Sequence, residues 1–178
     1  MKRPVMRRLA AALTAAACLS LGAAGLPAAA QVPPSAEEVA AYRGLHAAAH
    51  RGDVAAIERL AAQPPAFREA REARDVQGRT ALHVAAHARQ HAAVKALLLA
   101  GADPGTLDDA RYDAVTVAAV AGDEQTLAVL LAHGASAKLV TSRYDGTALI
   151  AAAHLGHASV VKLLIAAGPP LDHVNNLH

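Results

Sequence analysis

The chain is poor in the residues that usually fill a large protein core. Aromatic residues make up 2% of its 178 residues, with no tryptophan and a single phenylalanine, Phe67. A core built around large rings is therefore excluded. Hydrophobic residues still account for 54% of the chain, and much of that content is alanine. Because alanine has the highest helix propensity and lets helices approach closely, the composition favours small, tightly packed helices.

Cysteine is almost absent, and the single residue, Cys18, lies in an N-terminal segment typical of an export signal. In residues 1–30, four basic residues precede an apolar stretch, and three alanines end at Ala30 before Gln31. This order is that of a secretory signal peptide, so we expect a periplasmic or secreted protein cleaved near Ala30/Gln31. A lipoprotein signal at Cys18 is a weaker alternative because the apolar stretch continues past it. A permanent membrane anchor is also weaker, since the stretch is short for a span.

An excess of positive charge is missing once residues 1–30 are removed. That segment holds four of the 17 basic residues and none of the 15 acidic residues, so its loss changes the net charge from +2 to −2. A nucleic-acid-binding surface needs a basic stripe, which this balance does not favour. Without Cys18 the remaining chain has no cysteine, which excludes disulfides and cysteine-ligated metals there.

The chain after Ala30 contains four similar segments. They begin at Leu45, Leu82, Val115 and Leu149, and the first interval is slightly longer than the other two. Each segment has a pair of alanines, then a leucine-rich stretch that ends at a glycine or proline. One such unit cannot bury its own apolar face, so four in succession predict a fold stabilised by stacking.

The segments resemble the ankyrin-repeat family, whose period of about 33 residues matches their spacing. The second repeat carries Gly78, the run Thr80-Ala81-Leu82-His83, Ala85-Ala86 and Gly101-Ala102-Asp103, with Ala81 at the usual proline. The resemblance implies an all-α solenoid of four stacked helix–turn–helix repeats with short β-hairpin-like fingers. It divides the chain into a linker and capping helix at 31–42 and a repeat domain at 43–178. The repeats lie at about 43–74, 75–108, 109–141 and 142–172, followed by the start of a further finger.

Several positions predict local structure within the repeats. Glycines at 52, 122 and 156 suit the left-handed end of the first helix, where the second repeat has Arg89 instead. Arg89 should therefore take a positive φ, at a cost of roughly 1–2 kcal/mol. Asp53 and Asp123 follow two of these glycines and are placed to cap the second helix.

Four regions depart from the regular repeat. A capping box at Ser35–Glu38 predicts a helix that runs on into the first repeat. The longer interval between the first and second repeats predicts an extra helical turn near Pro64. Asp113 replaces a threonine of the family pattern, so the third repeat should be the least regular. The segment 171–178 looks like the beginning of another finger, which indicates either a fragment of a longer array or a terminal face covered by a partner.

Histidines are the main candidates for chemistry, with ten in the chain. The resemblance gives structural roles to His46, His83 and His157. It also places one column of positions on the concave groove: His50, His87, Val120 and His154. Metal or haem capture by this column is an alternative function, but neighbouring helices lie about 10 Å apart while a zinc–nitrogen bond is about 2 Å. We therefore expect solvated groove histidines, with no cofactor and no metal.

The remaining candidates suit protein binding. Two Arg-Tyr-Asp triplets recur at the expected finger tips of successive repeats: Arg111, Tyr112, Asp113 and Arg143, Tyr144, Asp145. Tyrosine and arginine are enriched in interface hot spots, although each tyrosine could instead pack on the neighbouring finger. Together with Arg79 in the first finger and the groove column, the triplets form the predicted binding surface.

Catalytic motifs are lacking: the sequence has no nucleophile elbow, phosphate loop or dinucleotide-binding glycine run. We therefore expect a non-enzymatic module that binds another protein. A partner that is a toxin to be neutralised or an enzyme to be protected would be a special case of that function.

Overall fold

The computed structural model describes residues 31–176, so the expected signal peptide at 1–30 lies outside the described residues. The described part consists mainly of short helices, with one two-stranded ribbon. In chain order the elements are α1 (Ala36–Ala41), α2 (Gly44–Arg51), α3 (Val54–Ala61), α4 (Pro64–Glu72), α5 (Ala81–His87), α6 (His91–Leu99), α7 (Ala114–Val120), α8 (Glu124–Ala132), β1 (Val140–Thr141), β2 (Gly146–Thr147), α9 (Ala148–His154) and α10 (Ala158–Ala166).

Eight of these helices form four hairpin-like pairs: α2–α3, α5–α6, α7–α8 and α9–α10. The first helices of the pairs contact one another in sequence, α2 with α5, α5 with α7 and α7 with α9. The second helices do the same, from α3 through α6 and α8 to α10. The structure thus has an inner row and an outer row of helices, and the predicted stack of four helix–turn–helix repeats is confirmed.

Small side chains make this stacking possible. The alanine pairs of the inner helices α2, α5 and α7 are buried, at 48–49, 85–86 and 118–119. Branched side chains of the outer helices fill the space behind them, among them Ile57, Leu97, Leu130 and Leu164. Because alanine has no side chain beyond Cβ, successive inner helices can touch without opening a gap.

The turns inside each repeat follow the sequence expectations. Arg89 has φ 54° where the other three repeats have glycines with φ between 62° and 74°, so its predicted left-handed conformation is confirmed. The side chain of Asp53 accepts a hydrogen bond from Ala56 N, and that of Asp123 accepts one from Thr126 N. Both aspartates therefore cap the outer helix of their repeat as predicted.

Three expectations about the departures need correction. The capping box at Ser35 is present, but α1 ends at Ala41 and Tyr42 has an extended backbone, so no continuous helix enters the first repeat. The extra turn near Pro64 is instead a complete helix, α4, with proline at its start, where a missing N–H does no harm.

The third repeat is not the least regular, contrary to expectation. Asp113 caps α7 by accepting a hydrogen bond from Thr116 N at 2.8 Å, so the aspartate takes the role of the family's threonine. The Thr116 hydroxyl also lies 2.8 Å from the Thr141 hydroxyl of the next segment. α7 and α8 have the same lengths as the corresponding helices of the second and fourth repeats.

Of the helices in residues 31–176, none has the length and apolar character needed to cross a membrane.

Candidate binding surface

Three fingers connect each outer helix, or the added helix α4, to the next inner helix. Finger 1 extends over 73–80, finger 2 over 100–113 and finger 3 over 133–147. Finger 3 contains the β1–β2 ribbon, in which Val140 pairs with Thr147 and Thr141 with Gly146.

Each finger turns around one side-chain oxygen, which comes from Asp75, Asp108 or Ser142. This oxygen accepts hydrogen bonds from the backbone N–H groups two and four positions later. The distances are 2.9 and 2.9 Å at Asp75, 3.0 and 2.8 Å at Asp108, and 3.3 and 3.2 Å at Ser142. Such side-chain-to-backbone bonds fix a turn, so the three tips have a common shape.

The residue three places after each of these oxygens has a left-handed backbone. It is Gly78 in finger 1, Arg111 in finger 2 and Asp145 in finger 3, with φ of 72°, 66° and 53°. Arg111 therefore corresponds to Asp145, not to Arg143. The two Arg-Tyr-Asp triplets lie at finger tips but do not occupy equivalent positions, because they are closer together in the sequence than the turn oxygens of fingers 2 and 3.

Arg79, Tyr112 and Asp113, all predicted as binding residues, are buried. Arg79 and Tyr112 occupy the same place in successive fingers, each directly before the N-cap residue of the inner helix. The ring of Tyr112 packs with Ala86 and Val117, which belong to the inner helices α5 and α7 and not to the neighbouring finger that the alternative interpretation named. These side chains lie beneath the surface of the fingers, and burial raises the pKa of the Asp113 carboxyl.

Histidines connect the first, second and fourth repeats to a neighbouring segment. His46 Nε2 lies 3.0 Å from the carbonyl oxygen of Arg79, and His83 Nε2 lies 3.0 Å from that of Tyr112. In the fourth repeat, His157 Nε2 lies 3.1 Å from the carbonyl oxygen of Val120 in the preceding repeat. The structural roles predicted for the three histidines are confirmed.

A buried ionic network fixes finger 1 to α1. The Arg79 side chain is 2% exposed and forms ion pairs of 2.7 Å with both Glu38 and Asp75. The Tyr42 hydroxyl donates a hydrogen bond of 2.7 Å to the same network, at Asp75 Oδ2. Burial alone would raise the pKa of Asp75, but hydrogen bonds from Tyr42 and from the backbone and side chain of Arg79 lower it. Burial, and then the bond to Asp75, raise the pKa of Tyr42.

Backbone hydrogen bonds join neighbouring fingers side by side. Asp109 N donates to Gln77 O at 3.0 Å between fingers 1 and 2, and Ser142 N donates to Arg111 O at 2.7 Å between fingers 2 and 3. Asn176 N donates to Tyr144 O at 3.0 Å, which joins finger 3 to the segment after α10. The tips therefore form one row, which we call the fingertip row: residues 75–78, 108–111 and 142–145.

Exposed side chains of the fingertip row come from equivalent turn positions. The residue directly after each turn oxygen is exposed and is Val76, Asp109 or Arg143. Arg111 and Asp145, both predicted as binding residues, are also exposed, and Tyr144 is half-buried. These side chains are carried on turns that the backbone bonds hold in place.

A pocket of about 650 Å³ opens between α1 and finger 1. Its apolar lining comes from Ala41, the ring of Tyr42, Ala73 and Val76. Nothing in the sequence predicts this pocket, because α1 was expected to continue into α2 and would then not have formed a separate wall.

The groove column lies on the C-terminal part of the inner helices. His50, His87 and Val120 are half-buried, whereas His154 is exposed. Burial, and then the nearby Arg79 charge, lower the pKa of His87 to about 4. In the part of the chain that the structure describes, no three histidine, cysteine or carboxylate side chains are arranged to hold a metal ion.

Comparisons with known proteins agree with this architecture. A family model for ankyrin repeats in three copies matches residues 39–108 and 90–175. The ankyrin repeat protein YahD of Escherichia coli (strain K12) is 34% identical over 92 residues, which is 52% of this chain and 45% of that relative. The aligned part of the chain thus spans less than half the length of that relative.

Proposed function

The chain belongs to the ankyrin-repeat family, and we propose on that premise that it is an exported, non-catalytic module that binds another protein. The binding surface is the fingertip row, extended along the groove column. The observation that carries this proposal is the row itself, in which exposed side chains of three fingers are held in register by backbone hydrogen bonds.

Rigidity of the row favours binding. A surface that is already ordered loses little conformational entropy when a partner arrives, which improves affinity. The residues predicted for binding that turn out to be buried contribute to this rigidity, because Arg79 and Tyr112 lie under the tips and their carbonyl oxygens meet histidine rings. Arg111, Arg143, Tyr144 and Asp145 remain available for direct contact.

The interaction is tested by capture from a periplasmic extract with the purified protein as bait. We expect one or more proteins to be retained by the wild type and lost, by about tenfold or more, with the variant Asp109→Ala/Arg143→Ala/Tyr144→Ala. The matched control is Lys95→Ala/Lys162→Ala, which removes exposed side chains of the outer helices α6 and α10.

Equal capture by the tip variant and the wild type would contradict the use of the fingertip row. Capture of an enzyme or a toxin whose activity changes in the complex would establish the special case of a protective or neutralising module.

The export part of the proposal is supported by the order of charged, apolar and small residues in 1–30. Cell fractionation should place the protein in the periplasm or medium, and the intact mass should correspond to a first residue at Gln31. Full-length protein confined to the cytoplasm would contradict export without affecting the binding proposal.

A further inference from the structure

We propose that the fingertip row recognises an extended peptide segment whose side chains are ordered apolar, basic, acidic, with about three residues from one to the next. The inference rests on the proposed function and specifies the partner's chemistry.

An apolar side chain fits at finger 1. Val76 is 79% exposed, and it lines the 650 Å³ pocket beside Ala41 and Ala73. The charged heads around this pocket are mostly engaged: Glu38 binds Arg79, and Arg74 donates to the carbonyl oxygens of Gly78 and Leu107. The surface left for a ligand is therefore largely apolar, and pockets of this size bury an aliphatic side chain well.

Asp109 supplies the exposed charge at the tip of the join between fingers 1 and 2, where the Arg74 guanidinium is bound to the carbonyl oxygens of Gly78 and Leu107. Asp109 is exposed there, beside Gln77 of finger 1, and no ion pair to it is formed among the described residues. A lysine or arginine of the partner would therefore be favoured at this join.

Positive charge dominates the join between fingers 2 and 3. Arg111 and Arg143 are both exposed, and Ser142 N donates to Arg111 O, so the two arginines come from adjoining arms. The next carboxylate along the row, Asp145, keeps its negative charge and accepts a hydrogen bond from the neutral side-chain amide of Asn176 at 3.0 Å, but the two arginines outnumber it. An aspartate or glutamate of the partner would be favoured at this second join.

The spacing of the three positions follows from the fingers. Each finger has two strand-like arms, and hydrogen-bonded arms lie about 4.8 Å apart, so equivalent points of adjacent fingers are roughly 10 Å apart. An extended peptide advances about 3.3 Å per residue, so about three residues cover one finger. An anchor at every third position of the peptide therefore meets every finger.

The test compares two labelled peptides of identical composition by fluorescence anisotropy. One has leucine, lysine and glutamate at every third position, and the other exchanges the lysine and the glutamate; each is made in both chain directions. We expect the purified protein to bind the first pattern, in one direction, about tenfold more tightly than the second. Replacing the leucine by alanine should weaken binding by a similar factor, and added salt should reduce the preference.

A charge-reversed protein provides the decisive comparison. The variant Asp109→Lys/Arg111→Glu/Arg143→Glu should prefer the second peptide, whereas Lys95→Glu, which changes the net charge by the same amount on α6, should keep the wild-type preference. Circular dichroism of both variants verifies that the helices are retained.

Equal affinity of the wild type for the two peptides, no binding of either, or an unchanged preference in the reversed variant would overturn the inference. None of these results would contradict the proposed function if the tip variant still loses its captured protein. If the peptide preference is absent and the tip variant captures as much protein as the wild type, both proposals are overturned.

Discussion

The two ends of the repeat stack carry the same helical motif in different surroundings. At the first repeat, α1 and finger 1 cover the groove side, and Tyr42 and Arg79 are buried. At the fourth repeat, Ala153 is exposed although the equivalent Ala86 and Ala119 are fully buried. Leu155 of the same repeat is about half exposed. Burial of a repeat position is therefore a property of the neighbouring repeat as much as of the residue itself.

The largest loss of stability is expected at the first repeat, the end of the stack that α1 and finger 1 cover. Arg79→Met leaves Asp75 and Glu38 without their shared cation in a buried place, so we expect the free energy of unfolding to fall by about 3 kcal/mol. Urea unfolding followed by circular dichroism measures it. The control Arg71→Met removes the exposed pair with Glu72 and should cost less than about 1 kcal/mol. An equal decrease in the free energy of unfolding of the two variants would show that the ionic network of Arg79 does not stabilise the first repeat.

A matched pair of alanines sharpens the comparison between interior and terminal repeats. Ala119→Leu inserts a branched side chain between packed helices and should destabilise the fold by about 2 kcal/mol. Ala153→Leu makes the same change at the same repeat position on the exposed face and should stay within about 0.5 kcal/mol of wild type. Thermal and urea unfolding of both variants measure the difference. A similar decrease in the free energy of unfolding of both variants would mean that Ala153 is covered in solution.

The pH dependence of stability reports on the burial of His87 in the groove column of the second repeat. Its pKa is about 4 in the folded protein and near 6.5 when unfolded, so between these values the unfolded chain binds a proton that the folded chain does not. Stability is therefore full above about pH 6.5 and falls as the pH decreases towards 4. His87→Gln should reduce that fall by about 1 kcal/mol, allowing for partial solvent access. Urea midpoints at about pH 8 and pH 4.5 measure the effect, and parallel changes in variant and wild type would contradict it.

An effect of similar size distinguishes finger 1 from finger 2. Gly78 holds the left-handed turn position in finger 1, whereas Arg111 holds it in finger 2. Arg111→Gly should stabilise the protein by about 1 kcal/mol by removing that strain. Arg143→Gly, at a position without positive φ, serves as the control and should be neutral or slightly destabilising. No gain from Arg111→Gly would mean that contacts of the arginine offset the strain.

Much of the fold could be predicted because each repeat position has a simple physical requirement. The alanine pairs, the left-handed turn at Arg89 and the capping aspartates follow from helix packing, chain geometry and capping, and the structure contains all of them. The length of α4 could not be predicted from spacing alone. An insertion fixes how much chain is added but not the conformation it adopts.

The binding surface was harder to predict. The two triplets look alike in the sequence, yet their different positions relative to the turn decide that Tyr112 is buried and Tyr144 is partly exposed. The signal that could have revealed this register is the turn oxygen at Asp75 and Asp108, but Ser142 takes that role in finger 3 and hides the pattern. The burial of Arg79 also depended on a distant residue, Glu38, which no local pattern connects to it.

The histidine bonds to Arg79 and Tyr112 end on main-chain carbonyl oxygens, which every amino acid supplies. One repeat can therefore hold the next whether a cation or a phenol occupies the position, and this chain contains both solutions in tandem. A substitution at that position would change the side chain that lies beneath a finger tip but would leave the hydrogen bond between the histidine and the main-chain carbonyl oxygen in place. An engineer could therefore exchange finger 1 and finger 2 with the side chains around Arg79 and Tyr112, and the histidine that bonds the main-chain carbonyl oxygen would not need to be changed.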